Sequence, residues 1–209
     1  MKFPFLASFL LFSALLTYEL GKSRRIEEKS MKNFLEKENA ANSVRKKDLD
    51  GLPYISIPLE DFPMDVLTDR EDIMEIHNQL KTLSTKKIVN LTGISNTDLK
   101  LTYGTANITV LTEYDQNYTI LARTIYKWGK LLYEENLIPQ AKQVLSFGIN
   151  TGSDVSGNYK LLATIYKQEG NDKEIQELID KASSLNSLMK NSILKSLKDI
   201  YHGEESTNQ

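Results

Sequence analysis

LARTIYKWGKLLYEENLIPQAKQVLSFGINTGSD (121–154) and VSGNYKLLATIYKQEGNDKEIQELIDKASSLNSL (155–188) are consecutive segments whose chemistry matches at a spacing of 34 residues. Gly129 falls on Ala163, Leu132 on Tyr166, Asn136 on Gly170, Leu145 on Ile179 and Gly148 on Ala182. Each segment reads as a helix, a turn and a second helix. Small residues stand where antiparallel helices must approach: Gly129 and Ala163 on the first helices, Ala141, Gly148 and Ala182 on the second. A larger side chain at such a point forces two backbones apart. Residues 189–201, with Ile193, Leu194, Leu197, Ile200 and Tyr201 among lysines, supply a helix that caps the open end.

Upstream the signals are more varied. Prolines at 53, 58 and 63 forbid a helix interior across GLPYISIPLEDFPMDVL (51–67) and push the preceding residues into extended backbone. With no strand partner in view, its apolar residues Tyr54, Ile55, Ile57, Leu59, Phe62 and Met64 are expected to lie across a helical surface. Thr68 followed by Glu71 reads as a capping box that opens a helix over about 69–84, with Ile73, Ile76, Leu80 and Leu83 on one face. A connection over 85–96 leads to Ser95, Asn96 and Thr97, which cap a second helix of about 97–114, with Leu99, Tyr103, Ala106, Val110 and Tyr114 on its face.

In the arrangement of small and large residues over 121–201 the sequence resembles the tetratricopeptide repeat, and more loosely over 69–114. It departs at Ile175, which replaces the small residue that Ala141 supplies, at Ser153 and Ser187, where the repeat often ends in proline, and at Trp128, a displaced opening aromatic. The resemblance implies an all-α helical solenoid whose concave face, lined by first helices, holds an extended peptide. The peptide-binding residues it implies are Arg123, Tyr126, Lys127, Lys130 and Tyr133, then Lys160, Leu161, Thr164 and Lys167. Cations and tyrosines without a carboxylate favour an acidic, partly apolar protein or peptide partner. The net −6 of residues 60–75 suggests that the acidic stretch 54–65 occupies or borders that groove from within the chain. As a whole the chain resembles bacterial membrane-anchored proteins carrying such repeats.

The N-terminus has its own reading. FPFLASFLLFSALLTY (3–18) is uncharged over sixteen residues. As a helix it reaches about 24 Å, short of the roughly 30 Å hydrocarbon core unless Leu20 and snorkelling ends contribute. Gly21 and Ser23 are small enough for a signal-peptide cleavage site, but Lys22, Arg24 and Arg25 crowd it. An uncleaved transmembrane helix through residues 3–20 is therefore favoured over a cleaved signal or a surface-lying helix. Lys22, Arg24, Arg25, Lys29 and Lys32 follow the span while only Lys2 precedes it, which places the C-terminal part in the cytoplasm of a single-pass protein. Residues 22–50 hold nine Lys and Arg against six Asp and Glu, and residues 51–209 hold sixteen against twenty-one. A basic stem beside anionic headgroups and an acidic folded part suit that asymmetry.

The organisation expected is a membrane helix or signal anchor (1–21), a basic stem (22–50), the extended segment (51–68), a degenerate leading helical pair (69–118), repeats with a cap helix (119–201) and a disordered tail (202–209). With no cysteine and only His77 and His202, the 209 residues offer no thiolate chemistry and few proton shuttles. His77, near Glu71 and Glu75, reads as a solvated side chain rather than a metal ligand. No phosphate loop, paired-carboxylate motif or helical zinc motif appears, and the near-neutral balance argues against nucleic acid. Asn90, Asn107 and Asn117 begin glycan-acceptor triplets. The expectation is a non-enzymatic interaction module without a cofactor, held at the membrane. The runner-up is an exported chaperone or assembly factor for envelope proteins.

Overall fold

The computed structural model describes residues 4–203, with side chains from Ser8 onward. The fold class is all-α: among the described residues there are eight α-helices, one short 3-10 turn and no strand. The helices are α1 (Pro4–Asn42), α2 (Glu71–Ser84), α3 (Asn96–Tyr103), α4 (Ile108–Glu134), α5 (Ile138–Asn150), α6 (Ser156–Gln168), α7 (Asp172–Ser183) and α8 (Lys190–His202). The chain divides into two compact units, residues 1–48 with 95–108 and residues 49–94 with 109–209.

In the smaller unit α1 runs unbroken for 39 residues, past Gly21 and through the region expected to be a stem with at most a short helix. Its last turns carry α3. Ala41 and Leu99 are buried, Lys37 pairs with Asp98 at 2.7 Å, and Lys100 pairs with Glu38 at 3.0 Å. Hydrogen bonds from Thr97 and Lys100 hold the Glu38 carboxyl below its ordinary pKa. Ser95 caps α3 as its sequence suggests: its oxygen accepts from the Asp98 N–H, and its hydroxyl returns to the Asp98 carboxylate at 2.6 Å.

The helix expected over 97–114 is broken. Gly104, at φ 88°, ends α3, and a Cβ there would sit 2.2 Å from the Arg45 carbonyl oxygen. The chain then turns through Thr105–Asn107 and starts α4, which is 27 residues long and opens well before the first repeat's expected start at 121. Residues 115–120 contain no glycine or proline to stop it. Helix α3 belongs with α1 and α2 with the larger unit, so the stretch 69–118, expected to hold a leading pair, is divided between the two units.

That unit holds the core. Trp128, Leu132, Leu145, Tyr159, Leu162, Ile175, Ile193 and Leu197 are all buried within one apolar cluster with α2's Ile73, Ile76 and Leu80. The small residues lie at the close approaches expected of them. A Cβ on Gly129 would lie 2.5 Å from Leu145 of α5, and one on Gly148 2.8 Å from Ile125 of α4. The turns repeat as well. Asn136 (φ 59°) and Gly170 (φ 68°), aligned 34 residues apart, both take the left-handed conformation that ends α4 and α6. The amides of Leu137 and Asn171 reach back to Leu132 and Tyr166 at 2.9 Å, the same closing bond in each repeat. Helix α6 packs on α5, α7 and α8, and α7 on α8.

The proline-spaced segment does lie across helices. Phe62 meets Trp128 and Phe147 edge-on at 5.4 and 5.1 Å, and Leu52 and Ile57 are buried. The Thr68–Glu71 capping box is absent: α2 begins at Glu71 after Arg70, with no side-chain cap. Arg70 instead pairs with Asp72 at 2.7 Å and with Glu135. At the other end α8 extends through His202, so the tail expected from 202 starts one residue inside a helix, and residues 204–209 lie outside the described ones.

Candidate functional site

The side chains expected to form a basic groove stand on α4 and α6. The two helices meet at two places: the Tyr126 ring lies against Gly157, where a Cβ would be 2.3 Å from it, and Gln168 donates to the Tyr133 hydroxyl at 3.3 Å. Helix α6 also reaches α8, where the Lys167 ammonium donates to the Tyr201 carbonyl at 2.8 Å.

The charge on this face is smaller than the sequence suggests. Lys127 pairs with Glu75 of α2 at 3.2 Å, Lys130 with Glu134 at 3.6 Å, and Lys167 with Asp172 at 3.0 Å. The Thr164 hydroxyl is turned back onto the Lys160 carbonyl at 2.9 Å, and Tyr126, Tyr133 and Leu161 are half-buried against the core. Arg123 and Lys160 are exposed and form no ion pair among the described residues. The acids that meet these lysines come from α2, α4 and α7, whereas the extended stretch 54–65 was the expected source. Glu60, Asp61 and Asp65 make no ion pair among the described residues, and the polar contact of that stretch with α5 runs from the Gln143 amide to the Asp61 backbone carbonyl at 2.5 Å. Apolar contact through Phe62 and Ile57, rather than charge, holds the segment down.

His77 is not solvated. It is buried, edge-on to Trp128 at 5.2 Å, and neither its Nε2 nor the Trp128 Nε1 finds a hydrogen-bond partner among the described residues. Burial, assisted by Lys81, lowers its pKa below 6.5. Among the described residues no three metal-capable side chains converge. Burial also raises the phenols of Tyr118 and Tyr159 to about 12.

The three glycan-acceptor asparagines are structural. Asn107 donates to the carbonyls of Lys47 and Tyr103 at 2.7 Å, Asn117 to that of Lys87 at 3.0 Å, and Asn90 to those of Thr151 and Gly152 at 3.1 and 3.0 Å. Each amide that would carry a sugar is holding a loop. Sequence reasoning also missed Lys87, whose ammonium lies 5.0 Å from the Tyr54 ring and 6.0 Å from the Tyr114 ring.

The largest uncovered apolar surface lies elsewhere, on α1. Phe9, Leu11, Phe12 and Tyr18 are each more than 60% exposed, and Leu10, Leu15, Leu16 and Leu20 are exposed beside them. These positions face all sides of the helix. Among the described residues no helix is long and apolar enough to cross a membrane. The expected span starts at residue 3, outside those residues, and its side chains through residue 7 lie outside them too. No protein-family model, curated protein or solved structure matches the chain.

Proposed function

We propose that the chain is a membrane-anchored, non-enzymatic interaction module. The N-terminal half of α1 enters the lipid, and the α4–α8 helices act as a short tetratricopeptide-like stack that binds a protein or peptide. The observation that carries this reading is the ring of exposed phenylalanines and leucines over residues 9–20. Apolar residues on every face of a helix need a surrounding apolar medium, whereas a partner's groove covers only one side. Lys22, Arg24 and Arg25 just beyond the run favour a single-pass anchor with the helical units on the cytoplasmic side.

The packing of α6 on α5, α7 and α8, with side-chain contacts from α4 to α6, supports a nested stack. Its open cations, Arg123 and Lys160, favour a partner with acidic side chains. The testing experiment is fractionation of cells producing the full chain. The protein is expected in the membrane pellet after alkaline carbonate washing, and a Phe9→Gln, Leu11→Gln, Phe12→Gln, Leu16→Gln variant in the supernatant. Release of the unaltered chain by carbonate refutes the anchor.

A further inference from the structure

The apolar run of α1 is marginal for a membrane: its uncharged stretch ends at Tyr18, Glu19 follows, and the described part is neither long nor apolar enough to cross. A span at the margin of the hydrocarbon thickness is held in place by charges at its end that meet the headgroups. The helix carries such charges without a break. Lys22, Arg24 and Arg25 lie about 3, 6 and 8 Å beyond Leu20 along the axis at ~1.5 Å per residue. Tyr18, Gly21, Lys22, Arg25 and Lys29 line one continuous face, so the cations extend the surface that the apolar residues begin. Of the five cations between 22 and 32, Lys32 alone is ion-paired among the described residues, with Glu36 at 3.9 Å.

We propose that Lys22, Arg24 and Arg25 form a collar that binds the anionic headgroups of a phospholipid bilayer and selects anionic membranes for the anchor. The inference rests on the membrane reading above and names its lipid. Distance decides which charges count. The three cations lie within a screening length of about 8–10 Å from the end of the apolar run. Glu27 and Glu28 stand about 10–12 Å out, one turn further, with Lys29 beside them. Glu19 is inside the same reach and offsets one cation, leaving a net of two positive charges.

The test is flotation of the full chain with phosphatidylcholine vesicles with and without phosphatidylserine. At low salt the anionic vesicles are expected to bind on the order of thirtyfold more tightly, roughly fivefold per net charge. High salt should erase the difference. A Lys22→Gln, Arg24→Gln, Arg25→Gln variant should float equally with both lipids, and Arg24→Lys with Arg25→Lys should keep the preference. Equal binding of the unaltered chain to both lipids overturns the collar while leaving the anchor standing. Failure to float with either lipid overturns both.

Discussion

Gly129 is the residue at which the packing of α4 on α5 is most exposed to a single change. An added methyl gains about 1 kcal/mol of helix propensity, but it would lie 2.5 Å from Leu145, which is itself fully buried and has nowhere to retreat. Overpacking of that kind costs about 1–3 kcal/mol, so Gly129→Ala is expected to lower the urea midpoint while Gly51→Ala, with nothing within 4 Å, leaves it unchanged. His77 gives a pH dependence. Its folded pKa lies below 6.5, so the unfolded chain takes up the proton first. Its contribution is complete above 6.5 and is lost as pH falls below that value. Asp72, whose carboxyl is held below 3.8 by Arg70, contributes above that value and is lost only in stronger acid, so the two effects separate. His77→Phe keeps a ring against Trp128 and should flatten the urea midpoint between pH 7.5 and 5.5; an unchanged slope in that window contradicts the assignment. The glycines were legible because smallness at a repeat spacing has one structural use. His77 was not, although its place four residues after Ile73 and three before Leu80 put it on the buried stripe. Reading histidine as polar hid that.

At the scale of elements, the repeat over 121–188 was legible because turns, small residues and apolar spacing all agreed. The region before it was misread at two points with physical causes. Gly104 sits in the middle of a plausible helical pattern, and only the approach of the Arg45 carbonyl makes it a break. The helix expected to end near 114 and the repeat expected from 121 are joined in α4, because nothing in 115–120 stops a helix. Of the residues expected to line a groove, Lys127 is met by Glu75, which no local pattern places opposite it. The extended segment supplies a prediction here. Phe62→Ala removes a ring held by Trp128 and Phe147 and should cost about 3–5 kcal/mol, enough to loosen the segment. Limited proteolysis should then cut within 51–67. Reversing Glu60, Asp61 and Asp65 to Lys should leave that protection intact, since those carboxylates make no ion pair; cutting in the charge-reversed variant contradicts apolar anchoring.

For the whole molecule, composition already pointed away from bulk electrostatic binding to nucleic acid, and the apolar N-terminus was plain in the sequence. What the sequence did not reveal is that the apolar run and the basic stem are one helix, because Gly21 and the change of composition look like a boundary. Between Lys22 and Asn42 no glycine or proline stops the helix. The central claim is that lipid surrounds the first half of this helix, and the absence of native cysteine allows it to be tested position by position. Single cysteines replacing Phe9, Leu10, Leu11 and Phe12 in turn, each labelled with an environment-sensitive fluorophore, sample every face of the helix. On mixing with phosphatidylserine-containing vesicles, emission should shift to the blue at all four positions. A shift confined to one face, or none at all, contradicts the anchor.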